Sequence, residues 1–201
     1  GLEVWCLNED LTQFRIHDEG GHFGGSLDAI VRGVPELDPG TPALAEFKTH
    51  SEKSFDKLVS SGLVAAKFEH YVQMQLYMGK FDLAYGLYLA VNKNDDNLYA
   101  EVISFDKTVY ERYLARAHDL VISLTPPKRI NESASWFQCK ICDHVAVCHK
   151  KVLPDRTCRS CFSISPIEQG QWRCLSRSLI LTKEEQVKAC PEYKLHPEFQ
   201  R

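Results

Sequence analysis

Residues 24–50 read GGSLDAIVRGVPELDPGTPALAEFKTH, and the placing of their charges decides the fold. Asp28 stands among apolar residues, with Leu27 before it and Ala29, Ile30 and Val31 after it. Eighteen positions on, Glu46-Phe47-Lys48 follows a second apolar run, Ala43-Leu44-Ala45. Pro35 to Pro42 forms the loop between them. Two strands joined this way put two carboxylates and one ammonium together. A carboxylate in a buried strand costs several kcal/mol, roughly, unless something offsets its charge. A divalent cation does so, and Asp28 and Glu46 are hard oxygen donors suited to Mg2+ or Mn2+. On a strand, Lys48 faces the same side as Glu46, where it is placed to orient water or to stabilise a phosphate in transition. The Phe47 carbonyl is a further candidate ligand.

Outward from this stretch, Leu2–Leu7 and Thr12–His17 read as short strands about an Asn8-Glu9-Asp10 turn. The glycines at 20, 21, 24 and 25 lead into the strand carrying Asp28. After His50, a helix capped by Ser51 is expected to about Ser60, closed by Gly62. A second helix is expected over Lys67–Gly79, stopped by Gly79, with Phe68, Tyr71, Val72, Gln75 and Leu76 at helical spacing. Gln73 and Tyr77 share one of its faces, being four residues apart. Ala84–Asn92 is a strongly apolar strand, Asn94–Asn97 a turn, and Leu98–Phe105 the returning strand. Asp106 caps a helix to about Leu124, with Val109, Tyr113, Ala117, Leu120 and Val121 on its apolar face. Thr125-Pro126-Pro127 ends it. The order predicts an α/β (α+β) fold with a central mixed β-sheet flanked by helices.

From Pro126 the composition changes. Residues 126–201 carry 13 Lys/Arg against 8 Asp/Glu, a net of +5, whereas residues 1–125 have 11 against 19, a net of −8. Seven of the eight cysteines lie between positions 139 and 190. Aliphatic residues thin out, so a core of their own would be small and a metal would supply folding energy. We expect two domains, 1–130 and a cysteine-rich metal-binding tail at 131–201. No signal peptide or apolar run of membrane-spanning length is visible, and Cys-x-x-Cys pairs favour metal ligation in a reducing compartment over disulfides. The expected setting is therefore cytoplasmic, without membrane attachment. The chain opens on Gly1 rather than Met, and whether an N-terminal helix precedes it stays open.

Asp28, Glu46-x-Lys48 and Gln73-x-x-x-Tyr77, in this order, resemble the PD-(D/E)XK nuclease superfamily in its RecB-like and phage exonuclease branch. The resemblance covers roughly residues 20–125. It implies a restriction-endonuclease-like core in which Asp28 and Glu46 bind Mg2+, Lys48 acts on the attacking water, and Gln73 and Tyr77 support the site and contact DNA. Two departures stand out: Leu27 occupies the place of the motif proline, and the helix that usually precedes the first strand is absent from this chain. The activity implied is a Mg2+-dependent deoxyribonuclease, an exonuclease before a site-specific endonuclease, in phage or bacterial recombination and repair. Its substrate would be single- or double-stranded DNA, with a recombination or replication protein as a partner, in a bacterial or phage-infected cell. The alternative is a nucleic-acid-binding or scaffold module with a degenerate nuclease core and a zinc-stabilised tail. His22 and His50 are close enough in sequence to contribute to the site, and Lys93 is either a phosphate contact or a solvated turn lysine.

In the tail, Cys139-x2-Cys142-x5-Cys148 is followed by His149. Its spacing resembles the cysteine triad of iron–sulfur nucleases such as the AddB-type helicase–nuclease and the CRISPR-associated RecB-like nuclease. Those take a fourth cysteine from upstream, where this chain has only Cys6. Zinc held by Cys139, Cys142, Cys148 and either His144 or His149 is the other reading, and spacing leaves zinc and a [4Fe-4S] cluster both open. Cys158-x2-Cys161-x12-Cys174-x15-Cys190 fits a zinc-ribbon-like module. Lys140, Lys150, Lys151, Arg156, Arg159 and Arg173 interleave with Trp136, Phe162 and Trp172, which suits either a nucleic-acid strand or a solvated face.

Overall fold

The structure, a computed structural model, describes residues 1–200. They fall into two compact units, one of residues 1–17 and 24–117 and one of residues 18–23 and 118–200. The division falls inside a helix rather than at the compositional change near Pro126, because composition marks where cores thin out and packing marks which residues touch.

The first unit is an α+β fold around a five-stranded mixed sheet. In chain order it contains β1 (Glu3–Trp5), β2 (Arg15–Asp18), β3 (Phe23–Ser26), β4 (Ala29–Arg32), β5 (Ala43–His50), α1 (Glu52–Ala66), α2 (Phe68–Phe81), β6 (Tyr85–Asn92), β7 (Leu98–Ser104) and α3 (Lys107–Ile122). The β2 and β3 strands form a separate hairpin. The main sheet runs β1-β4-β5-β6-β7, antiparallel except where β5 and β6 lie parallel. A parallel pair needs a crossover, and α1 and α2 provide it. Helix α2 rests on β5 and β6.

Alternation along β5 gives the sheet two different faces. Ala43 and Ala45 join Ala29, Val31, Val34 and Leu87 in an apolar cluster on one side. Leu44, Glu46, Lys48 and His50 face the other, beneath α2. Buried Gln75 ties α2 in place: its Nε2 donates to the Ser104 carbonyl (3.0 Å) and its Oε1 accepts from Asp106 N (2.6 Å). Asp106 Oδ1 accepts from Val109 N at 3.0 Å, the expected cap of α3.

Several local expectations are corrected. Asp28 lies in the bend between β3 and β4, not within a strand. Ser51 has the extended backbone of a cap residue, but its side chain makes no capping bond. The first helix continues past Gly62, where φ of 74° breaks it; Leu63 N beyond the break donates to Glu101 Oε2 (2.8 Å). Gly79 does not stop α2. It is a contact glycine, since a Cβ there would meet the Tyr110 ring at 2.4 Å. The turn comes at Asp82, in the left-handed region with φ of 52°. No residue of α3 is fully buried: along its apolar stripe Val109, Tyr113, Ala117 and Val121 are partly covered and Leu120 is exposed.

Beyond the end of α3, the second unit has two short helices, α4 (Phe137–Lys140) and α5 (Val145–Lys150). A three-stranded antiparallel sheet follows, of β8 (Ile164–Ile167), β9 (Gln171–Cys174) and β10 (Leu179–Leu181), then α6 (Lys183–Gln186). The tip of the β2–β3 hairpin belongs to this unit. Gly170 N donates to the Gly20 carbonyl (2.6 Å), and a Cβ on Gly21, whose φ is 89°, would meet Gly170 N at 2.6 Å. Among the described residues no helix is long and apolar enough to cross a membrane.

Candidate functional site

Strand β5 outruns β4. Their pairing ends at Ala45 and Ala29, so the edge of β5 beyond Ala45 is open on that side. Asp28 fills the gap: its Oδ2 accepts from Phe47 N at 2.8 Å, standing in for a strand partner. A residue's N–H and C=O share one edge of a strand, so the Phe47 carbonyl points along the same open edge as Asp28. The Phe47 side chain faces away and is 43% exposed.

Glu46 is the centre of the cluster. It is 1% exposed, and Lys48 Nζ donates to its Oε1. Its Oε2 is buried without a hydrogen-bond partner. Burial pushes its carboxyl above the usual range, Lys48 pulls it back, the nearby charge of Asp28 pushes it up, and the Gln73 amide favours the charged form. Gln73 Nε2 in turn lies 3.4 Å from the Tyr77 hydroxyl. The structure therefore brings together Asp28, Glu46, Phe47, Lys48, Gln73 and Tyr77. Tyr77 fits because β3 has Gly25 beneath it, where a Cβ would approach its hydroxyl to 2.4 Å.

One layer deeper is a polar chain that sequence reading found only in part. His50 Nδ1 lies 3.0 Å from Ser54 Oγ, and His50 Nε2 lies 2.9 Å from the Tyr88 hydroxyl. That hydroxyl is also 2.9 Å from His70 Nδ1. Tyr88 pairs in register with Glu46 on the neighbouring strand. Burial, and after it the charge of Lys48, lowers the His70 imidazole to about 4; burial, then Lys67 and Lys48, lowers that of His50. Burial and then Glu46 push the Tyr88 hydroxyl well above its ordinary value. The layer beside the carboxylates is thus neutral near pH 7. His70 and Tyr88 carried no spacing signal: one is a helix residue, the other lies inside an apolar strand, and only the crossover brings them together.

Other expected site residues lie elsewhere. His22 works within the second unit, with Nε2 2.8 Å from the Ile167 carbonyl and its ring edge-on to Trp172. Lys93 is exposed, and its N donates to the His50 carbonyl (3.0 Å). Cys6 lies just after β1 rather than on a strand and is exposed, in the first unit. Cys139 is buried on α4, Cys142 is exposed in the turn after it, and exposed Cys148 and neighbouring His149 are on α5. Cys158, Cys161, Cys174 and Cys190 surround one cavity. Burial raises the Cys158 thiol, and Cys190, Cys161 and Cys174 raise it further. Lys140, Lys150, Lys151, Arg156, Arg159 and Arg173 are all exposed. Among the described residues, no three His, Cys, Asp or Glu side chains already stand in a metal-ligating arrangement.

No family model matches this chain, and no curated protein does. A solved structure similar to it is the crystal structure of SSO0001, at 22% identity over 70% of this chain, with a TM-score of 0.46. The alignment spans 61% of that protein's length.

The donor chemistry of the open edge suits a hard cation. Two carboxylates and a strand-edge carbonyl are all oxygen, and the orphaned Glu46 Oε2 costs free energy until something positive meets it. Lys48 offsets only one oxygen of that carboxylate.

Proposed function

We propose that the first unit is a Mg2+-dependent deoxyribonuclease that hydrolyses phosphodiester bonds, acting as an exonuclease in phage or bacterial DNA recombination or repair. The observation that carries this reading is the Glu46 carboxylate, buried with one oxygen on Lys48 and the other unpartnered, beside Asp28 at an open strand edge. Asp28, Glu46 and the Phe47 carbonyl would hold Mg2+ or Mn2+. When bound, such an ion lowers the pKa of a coordinated water and offsets charge on the scissile phosphate.

The chain's own residues have distinct parts. Asp28 and Glu46 hold negative charge at fixed positions that would draw a cation, and the cation in turn would draw the phosphate. Lys48, 25% exposed on its side chain, reaches the edge of the cluster. Its ammonium donates to Glu46 in the free protein and is placed to donate to a water or a non-bridging phosphate oxygen when substrate arrives. Gln73 stands beside the Glu46 carboxylate and donates to the Tyr77 hydroxyl, which fixes its position. The basic stretch 126–201 would supply backbone contacts to single- or double-stranded DNA.

Digestion of 5′- and 3′-labelled single- and double-stranded DNA, with Mg2+ or with EDTA, tests this. We expect metal-dependent release of short products and a loss of at least about 100-fold in rate for Lys48→Ala, as for removal of one transition-state donor. Equal cleavage by Lys48→Ala would remove the activity from this site. Binding of DNA without cleavage under any metal would favour the scaffold reading instead.

A further inference from the structure

We propose that Cys158, Cys161, Cys174 and Cys190 together hold one zinc ion, and that this ion is what keeps the second unit folded. The inference is independent of the nuclease reading.

Three chain segments bring the thiols to one cavity. Cys158 and Cys161 open and close a single tight turn, with Cys161 N donating to the Cys158 carbonyl (3.0 Å). Thr157 N donates to Ser160 Oγ (3.4 Å) and Ser160 N donates to the Thr157 carbonyl (3.2 Å), which braces it. Cys174 ends β9, opposite Ile164 on β8 and Leu179 on β10. The next residue, Leu175, donates from N to the Ser163 carbonyl (2.7 Å), tying this end to the turn. Cys190 comes on a loop that is also pinned there. Tyr193 N donates to the Cys190 carbonyl (3.1 Å), the Tyr193 hydroxyl is 2.9 Å from Ser160 Oγ, and Phe162 N donates to the Lys194 carbonyl (2.7 Å). The backbone bonds hold the three segments together; the thiols they present are free, none in a disulfide.

The rest of the unit is too thinly packed to fold on apolar burial. Its buried apolar residues are Cys139, Cys161 and Leu181, while Ile130, Phe137, Ile141, Leu153, Phe162 and Leu175 are exposed. One buried aliphatic side chain contributes about 1.5–3 kcal/mol, far below the ordering entropy of some eighty residues. A tetrahedral thiolate site closes the loops from Cys158 to Cys190 and supplies folding energy directly. The soft donor set selects zinc over the hard cation proposed for Glu46. Glu192 also lines the cavity, but four sulfurs complete a structural site without it.

The test uses the full chain purified under reducing conditions. Elemental analysis of the protein and of Cys174→Ser should show about one zinc per chain fewer in Cys174→Ser. Because the serine variant can misfold, Cys190→His is made as well; it should retain zinc. Replacing the ion with cobalt should give the charge-transfer bands of a tetrahedral thiolate site, weakened in Cys190→His. Unchanged zinc in Cys174→Ser would overturn the proposal. So would disulfides among these four cysteines in non-reducing mass spectrometry, or a brown iron chromophore that disappears in Cys174→Ser.

Discussion

Tyr88 has one hydroxyl proton and two imidazoles beside it. If the hydroxyl donates to His70, then His50 must donate to it, and the reverse arrangement is equally consistent with the 2.9 Å contacts. In either case both rings function as neutral groups, which the low value at His70 favours. Such a layer lets Glu46 carry its charge without a cation directly behind it, so the free carboxylate oxygen stays available. Stability should follow from the same chemistry. His70 takes a proton in the unfolded chain near 6.5 but only near 4 when folded. Its contribution is therefore complete above pH 6.5 and is lost as pH falls toward 4. After allowance for its partial exposure, the loss is about 1–2 kcal/mol. Urea titrations at pH 7 and pH 5 should show His70→Gln, whose amide can still bond Tyr88, losing less stability on acidification. The proton uptake on unfolding at pH 5 should drop by about one relative to the unmodified chain. Parallel pH profiles for the two proteins would sink this account.

At the scale of elements, the meeting of β3 and α2 depends on one missing methyl. Gly25→Ala would put a Cβ 2.4 Å from the Tyr77 hydroxyl and about as close as 3.0 Å to its ring. Overpacking of this kind costs about 1–3 kcal/mol, and here it also displaces a side chain of the proposed site. Tyr77→Phe removes the oxygen but not the ring contact. The pair Gly25→Ala with Tyr77→Phe should thus cost less than the two single changes added together, as read from urea midpoints; strict additivity would show that the contact is not tight. Elements with an unambiguous period were legible in the sequence: β5 and β6 by their apolar runs, α3 by its Asp106 cap, the β4–β5 pair by the Pro/Gly loop between them. Asp28, Glu46 and Lys48 could be found because a charge inside an apolar run has few other uses. The glycines were harder. In sequence, Gly79 looks like a helix stop, since a left-handed terminus and a close ring contact both select glycine and only the tertiary partner, Tyr110, distinguishes them. His70 and Tyr88 were not legible for the same reason: their partnership spans the α1–α2 crossover and leaves no local spacing.

At the scale of the whole molecule, the two units have different sources of stability. The first has a continuous core: Leu44, Leu58, Leu63, Met74, Met78 and Tyr88 are fully buried within it. The second has backbone bonds, exposed apolar side chains and a ring of cysteines. If zinc holds it, chelation should act on one unit and spare the other. Hydrogen exchange on the full chain, before and after a zinc chelator under reducing conditions, should show amides of β8, β9 and β10 losing protection by a large factor, since opening would then approach global unfolding of that unit. Amides of β5 and β6 should keep theirs, because the parallel pair and its helix crossover owe nothing to those thiols. Restoring zinc should return protection to the three strands. Equal loss in both units would mean that they fold as one cooperative body. Unchanged protection in β8 to β10 would mean that the hydrogen bonds tying Ser160 to Tyr193 and Leu175 to Ser163 suffice without the metal.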